Sequence, residues 1–256
     1  MDRTYVVTGA ASGIGAATAR RLRAQGGRVI ACDLHDADVV ADLATAEGRA
    51  ALVEGVARLS GGRIDAIVAN AGGGPSQTSL ALNFFGAVAT LEGLRPLLTA
   101  SATPRAVAVS SIASLRPAAA GLVEACLALD EAEALARAAQ GPAAGDGLAL
   151  YGGAKQALNA WCQRAAVEPQ WAGAGIALNV VALGFFDTPA AAYILSDTDL
   201  SAQAARMVPM RGAFPGRPDA AAAALAWCVS PENAMMTGQI LFVDGGAERL
   251  ARGAQS

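Results

Sequence analysis

Apolar positions along the chain follow two alternating rhythms. Short, continuous, β-branched-rich runs recur as "RTYVVT", "GRVIACD", "IDAIVANAG", "PRAVAVSS", "GIALNVVALG" and "GQILFVDGG". Runs of this length and composition predict strands buried on both faces. A further short strand is predicted in "ADVVADL". Between them lie stretches with helical spacing: "IGAATARRLRAQG", "TAEGRAALVEGVARL", "LALNFFGAVATLEGLRPLL", "YGGAKQALNAWCQRAAVEPQW" and "PDAAAAALAWCV". The last opens with proline and aspartate, a helix-start signal. Strands alternating with helices predict an α/β fold, a doubly wound parallel sheet with helices on both faces. No repeat or linker interrupts the pattern, so residues 1–256 read as a single domain; its least regular segments are 115–147 and 184–217.

Composition narrows the function classes. With 54% hydrophobic and 16% charged residues, the 256-residue chain suits one globular domain with a large core. A net charge of -3 gives no electrostatic case for nucleic acid or an anionic membrane surface as partner. No apolar run is long enough to span a bilayer. The start "MDRTYVVTGAASG" lacks a basic-then-apolar leader, so a cytoplasmic location is expected. Cys32, Cys126, Cys162 and Cys228 are far apart and read as small buried hydrophobes. The single histidine, His35, lies in the polar run "DLHDAD", so a histidine triad or histidine metal site is not expected, and no metal is assigned.

The first strand runs into "TGAASGIGAA", with Gly9, Gly13 and Gly15 spaced G-x-x-x-G-x-G. A chain leaving a strand here must turn tightly, let its backbone approach a pyrophosphate, and aim the free N–H groups of a helix start at that anion. Asp33 ends the second strand, 18 residues past Gly15. Its carboxylate can accept hydrogen bonds from a ribose 2′-hydroxyl and would repel a 2′-phosphate. The glycine turn carries no basic residue to welcome that phosphate, so the expected cofactor is NAD rather than NADP.

Lys155 is the sole lysine among 19 lysine and arginine residues, and it stands four positions after Tyr151. On a helix the two share a face. A phenol with its ordinary pKa near ~10 is a poor proton-transfer group at neutral pH. A nearby cation favours phenolate and lowers that value, allowing exchange of a proton with an alcohol or carbonyl. Lysine supplies a compact charge with rotatable donors, a role the planar arginine fills poorly.

Together these motifs resemble the short-chain dehydrogenase/reductase family over essentially the whole chain. "TGAASGIG" is similar to that family's cofactor turn, and Asn70, Ala71 and Gly72 match its "NAG". Asn83 matches the asparagine of its central helix, Ser111 its strand-end serine, "YGGAK" its tyrosine and lysine, and "DGG" at 244–246 the end of its last strand. The resemblance implies a Rossmann-type fold in which Ser111 polarises the substrate oxygen and Tyr151 is the general acid/base. It implies that Lys155 binds the nicotinamide ribose and lowers the pKa of the phenol, and that Asn83 holds a water of a proton path. It further implies that Gly9, Ser12, Gly13, Ile14 and Gly15 cradle the cofactor. Asp42 and Leu43 would then flank the adenine, Asn70 to Gly72 line the cleft, and Thr188 reach the carboxamide.

Two departures stand out. Leu183-Gly184 replaces the family's usual Pro-Gly, which is expected to loosen a turn. Ser111 and Tyr151 are 40 residues apart, far more than is usual, and the extra segment holds "GLVEACLALDEAEALARAAQG", read as one helix. Its bounds are Pro117 and Gly141-Pro142, and Leu122, Cys126 and Leu129 give it an apolar stripe. Such an insertion, with "ADLATAEGR", resembles the 3α-hydroxysteroid dehydrogenase/carbonyl reductase branch, which uses NAD; its insertion occludes a common subunit interface, so a homodimer is expected over a tetramer. In "GFFDTPAAAYILSDTDLSAQAARMVPMRGAFPG", Phe185, Phe186, Tyr193, Ile194, Leu195, Met207, Val208 and Met210 are expected to form an apolar lid. No arginine cluster there suggests an anionic substrate. The expected activity is interconversion of a hydrophobic secondary alcohol, of which a hydroxysteroid is one candidate, and its ketone. The alternatives are a silent NAD(H)-binding sensor or scaffold, which would bind NADH without turnover, and a relative using the fold for dehydration or epimerisation.

Overall fold

The computed structural model describes residues 3–76, 78–140 and 146–253. Its centre is a seven-stranded sheet ordered β3-β2-β1-β4-β5-β6-β7, with every pairing parallel. The strands are β1 (Thr4–Thr8), β2 (Arg28–Asp33), β3 (Val39–Val40), β4 (Ala66–Ala69), β5 (Arg105–Ser111), β6 (Ala177–Leu183) and β7 (Ile240–Val243). Alternate residues of each central strand enter different cores. Val6, Ile67 and Ala106 pack on one face, with Leu52, Leu91 and Leu158 of α2 (Ala46–Ser60), α3 (Ala87–Leu98) and α6 (Gly147–Ala165). Val7, Val68 and Val107 pack on the other, with Leu22 and Leu225 of α1 (Gly13–Ala24) and α9 (Pro218–Cys228). Two buried faces explain why the strands read as continuous apolar runs rather than alternating ones. The strand order reverses between β1 and β4, and in open parallel sheets a ligand crevice forms outside the carboxyl ends of the strands at such a point.

Local chemistry sets the helix that carries Tyr151. The Asp146 carboxylate accepts from the N–H groups of Leu148 (2.9 Å) and Ala149 (3.2 Å), starting α6 four residues before Tyr151 rather than at it. The helix expected from "LALNFFGAVATLEGLRPLL" opens with a π-helical stretch at Ala81–Gly86 before α3 begins. Such widened turns recur at functional sites, and this one carries Asn83.

The insertion is two helices, not one: α4 (Leu122–Leu127) and α5 (Glu131–Ala138). Leu129 takes φ +58, and the Asp130 side chain accepts from Glu133 N at 2.9 Å, so a fresh N-cap ends one helix and starts the next. The expected apolar stripe is correspondingly shorter. Leu122 and Cys126 are fully buried, but Leu129 is 52% exposed. Gly141 and Pro142 lie outside the described residues. The helix α4 packs on α6, where a Cβ at Gly153 would come within 2.7 Å of Leu122 Cδ2. On α5, Glu131 pairs with both terminal nitrogens of Arg49 on α2 at 2.7 and 2.9 Å. All four cysteines are buried free thiols. Among the described residues no helix is long and apolar enough to cross a membrane, and none form a group of three or more His, Cys, Asp or Glu able to hold a metal.

Candidate active site

A cavity of about 520 Å³ runs from Asp33 across the ends of β1 and β4 to Ser111 and Tyr151. At one end lies the glycine turn. Gly9 and Gly13 adopt φ +67 and +52, a region costly for other residues. A Cβ at Gly15 would stand 1.8 Å from the Gly9 carbonyl oxygen, so α1 can start there only with glycine. Gly15 does not itself line the cavity, whereas Gly9, Ser12, Gly13 and Ile14 do. Ser12 is the extended N-cap of α1, yet its hydroxyl makes no capping bond. Methyl and β-carbons of Thr188 lie where a Cβ at Gly13 would meet them at 3.3–3.4 Å, so the loop after β6 closes over the turn.

Polar contacts hold this cradle rigid. Thr8 Oγ1 accepts from Asn70 N (3.1 Å) and Ala71 N (2.9 Å), and Asn70 Nδ2 donates to the Thr8 carbonyl oxygen at 2.9 Å. Asn70 thus joins β4 to the glycine turn, while Ala71 and Gly72 line the cavity beside it. One oxygen of Asp33 accepts from Ala11 N at 2.8 Å and the other from Leu34 N at 2.7 Å. That acid fixes the turn as well as facing the cavity. Asp42 and Leu43 complete this end; Asp42 Oδ1 accepts from Ala44 N at 2.9 Å. Free helix-start N–H groups, a surface without side chains, and an acid at the strand end together fit a nicotinamide dinucleotide.

At the other end, Ser111 closes β5 and its Oγ accepts from Ala113 N at 3.1 Å. Burial raises the Tyr151 phenol above its ordinary pKa, and the neighbouring Ser111 hydroxyl opposes that rise without cancelling it. Lys155 is buried, and Nζ donates to the Val109 carbonyl oxygen at 2.8 Å, with the Tyr151 ring centroid 5.8 Å away. Burial depresses the lysine pKa to about 7. The expected lowering of the phenol by the lysine is therefore not what this structure shows: the charge is turned toward β5 and weakened by desolvation, and Ser111 is the group that favours phenolate. Asn83 is buried; Nδ2 donates to the Ser79 carbonyl oxygen at 2.9 Å, while Oδ1 has no partner among the described residues. A Cβ at Gly72 would lie 2.7 Å from that oxygen and 3.5 Å from Lys155 Nζ, so both groups border the space over Gly72. An unsatisfied buried acceptor there suits a bound water.

The substrate end differs from expectation in its lining. Phe185, Phe186, Tyr193, Ile194 and Met207 reach the cavity, but Leu195, Val208 and Met210 do not. Val208 and Met210 instead pack over Gly245, where a Cβ would meet them at 2.6 and 3.6 Å. Leu200, Gln203 and Ala204 of α8 (Thr198–Arg206) take their place, and Arg116, just before Pro117, joins the wall. The helix α8 is amphipathic but largely polar in composition, so no apolar run along the chain signalled that one of its faces would close a pocket. The turn at Leu183-Gly184 is not loosened. Leu183 is buried and paired with Val243, Gly184 N donates to the Val243 carbonyl oxygen at 3.0 Å, and a Cβ at Gly184 would come within 2.8 Å of Asp244 Cα.

Comparison with known proteins agrees with this geometry. A family model described as enoyl-(acyl carrier protein) reductase matches residues 9–248. The chain is 35% identical to a 3-alpha-hydroxysteroid dehydrogenase/carbonyl reductase of Comamonas testosteroni, over 98% of each chain. It is 33% identical to a cis-4-hydroxycyclohexanecarboxylate dehydrogenase of Sinomonas cyclohexanicum, over 96% of each. The crystal structure of a 3-alpha-hydroxysteroid dehydrogenase from Pseudomonas sp. B-0831, complexed with NADH, superposes with a TM-score of 0.90 at 38% identity, over 99% of each chain.

Proposed function

The chain belongs to the short-chain dehydrogenase/reductase family, oxidoreductases acting on CH–OH groups, and from that premise we propose that it interconverts a hydrophobic secondary alcohol and its ketone with NAD as cofactor. The observation that carries the reading is one continuous cavity with the Asp33-braced glycine turn at one end and the Ser111–Tyr151 pair at the other. NAD is favoured because Asp33 presents a carboxylate, and no cation, at the ribose position. The relatives' names point to ring alcohols, and a hydroxysteroid is the leading candidate.

Bound nicotinamide supplies hydride exchange at the carbinol carbon. The chain's residues do the rest. Ser111 donates a hydrogen bond to the substrate oxygen, where negative charge develops. Tyr151 exchanges the proton at that oxygen. Because burial holds the phenol above its ordinary pKa, it is protonated at neutral pH, the form that gives a proton to a ketone; alcohol oxidation gains as pH rises. Lys155 holds the ribose hydroxyls and, with Asn83, borders the space over Gly72. The helix α4 covers α6, and we take this to favour a homodimer over a tetramer.

The test is absorbance-monitored NADH formation from NAD and NADP separately, across steroid and alicyclic secondary alcohols, with Tyr151→Phe as control. Turnover with NAD that vanishes in the variant supports the reading. Turnover with NADP alone would overturn the cofactor assignment, and saturable NADH binding without turnover on a wide ketone panel would favour a silent binder.

A further inference from the structure

Resting on that reading, we propose that the substrate carries a carboxylate on its apolar ring, remote from the carbinol, and that Arg116 is the counter-ion that receives it. Among the described residues four charged side chains line the cavity: Asp33, Asp42, Arg116 and Lys155. The two acids stand at the glycine-turn end. Lys155 is buried and donates to Val109. Among the described residues Arg116 is thus the only charged group at the Ser111–Tyr151 end of the cavity that is exposed to solvent, and no acid lines that end.

The root of Arg116 is fixed. It follows the single turn Ile112–Leu115 that leaves Ser111, and its N–H donates to the Ala113 carbonyl oxygen at 3.0 Å. Its Cβ lies 3.5 Å from the Cβ position at Gly152, the neighbour of Tyr151 on α6. Its guanidinium has no hydrogen bond or ion pair among the described residues. The Tyr193 phenol on the opposite lid lies within its field, since the positive charge of Arg116 opposes the rise that burial imposes on that phenol. A guanidinium fork is suited to a carboxylate, and Tyr193 lines the same cavity.

Leu148, Phe185, Ile194 and Met207 give that end an apolar surface placed to pack on a ring. Arg116, Ile112 and Met207 also form part of a second, adjoining depression of about 340 Å³ lined by Leu115, Pro117, Ala247 and Ala251. Arg116 therefore stands where one end of a ligand would leave the main cavity. A ring with its carbinol at Tyr151 and an anionic group at the rim satisfies every feature of this end.

Two measurements on the full-length protein test the proposal. Calorimetry would compare binding of cyclohexanecarboxylate and its methyl ester to the NADH-loaded enzyme, for wild type, Arg116→Gln and Arg116→Lys. Reduction of 4-oxocyclohexanecarboxylate and its methyl ester by NADH would be followed in parallel. The wild type is expected to prefer acid over ester by about tenfold, as a charge-assisted pair implies. That preference should fall to about one in Arg116→Gln and recover in part in Arg116→Lys. An acid-to-ester ratio near one in the wild type, or one unchanged in Arg116→Gln, overturns it. If both ketones are reduced without such a ratio, the anion site fails and the oxidoreductase stands. Arg116-dependent acid binding with neither ketone reduced supports the anion site and counts against the oxidoreductase.

Discussion

The Lys155 ammonium donates to the Val109 carbonyl oxygen at 2.8 Å and is buried there with no carboxylate beside it. Desolvation lowers its pKa from 10.5 to about 7. Between those values the unfolded chain binds the extra proton, so this residue makes stability rise with pH from about 7 to 10.5. At about 1.4 kcal/mol per pKa unit, the effect amounts to a few kcal/mol. Lys155→Met removes the titration. Relative to wild type, the cofactor-free variant should be more stable at pH 6 than at pH 10. Melting midpoints of both proteins at the two pH values check this; a difference that does not move with pH would show that the lysine is not desolvated as described.

Ser111 has a single O–H, available to the substrate oxygen or to the Tyr151 oxygen in turn. Ser111→Ala should lower kcat by about 10²–10³-fold, the usual loss of one such donor. It also removes the group that draws the phenol pKa down. The rising limb of the pH–rate profile for alcohol oxidation should therefore move to higher pH. A loss of kcat with the limb unmoved would confine Ser111 to the substrate oxygen.

Much of this was legible in the sequence, for identifiable reasons. Strands buried on both faces leave continuous apolar runs, so β1, β2, β4, β5 and β6 stood out as segments such as "IDAIVANAG". The glycine spacing is legible because a backbone this crowded admits no side chain. What stayed hidden depends on tertiary contact. The break at Leu129 is the exception: Asp130 caps the next helix through a local bond from Glu133 N, a D-x-x-E start signal masked by the helical spacing on either side of it. Arg116 lies outside the apolar lid segment, so only the folded wall brings it to the substrate end. The direction of the Tyr151 shift is equally non-local: Y-x-x-x-K spacing places the lysine on the right face, but burial decides which effect wins.

Two glycines distinguish steric from conformational demand. At Gly15 an added Cβ would collide with the Gly9 carbonyl at 1.8 Å, and the turn must open. Gly15→Ala should lose several kcal/mol of stability and abolish measurable NADH binding. Gly61 caps α2 at φ +66 with open space around it, so Gly61→Ala should cost about 1–2 kcal/mol and leave binding intact. Thermal unfolding with fluorescence titration of NADH separates the two. Equal losses of binding would show that the turn is not the cofactor cradle.

Arg49 ties three parts of the site together. Besides Glu131, it donates to the carbonyl oxygens of Leu43 (2.9 Å) and Ala81 (3.0 Å). Arg49→Met would leave those acceptors and a carboxylate without their donor, so we expect a loss of about 2–4 kcal/mol. Because Leu43 belongs to the proposed adenine wall, KM for NAD should rise more than kcat falls. Glu131→Gln keeps the carbonyl contacts and should cost about 1 kcal/mol or less, the pair being partly exposed. Denaturant titration and initial-rate kinetics on both variants check the order; an equal effect of the two would place the linkage in the ion pair alone.

Asp33 has two tasks, and a single substitution separates them. Its oxygens accept from Ala11 N and Leu34 N, leaving the remaining lone pairs for a ribose diol. Asp33→Asn keeps one acceptor oxygen but turns an amide donor toward one of those N–H groups. NAD affinity should fall by about tenfold or more, since a charge-assisted acceptor is lost. The charge that repels a 2′-phosphate disappears as well, so NADP should lose less than NAD. NADP should still not become a good cofactor, because residues 9–15 contain no arginine or lysine to pair with the phosphate. The ratio of kcat/KM for NAD to that for NADP, measured before and after substitution, is the decisive quantity. We expect it to drop at least about tenfold through weaker NAD use. An unchanged ratio would mean that Asp33 serves only to brace the glycine turn, and that cofactor choice lies elsewhere along the adenine wall.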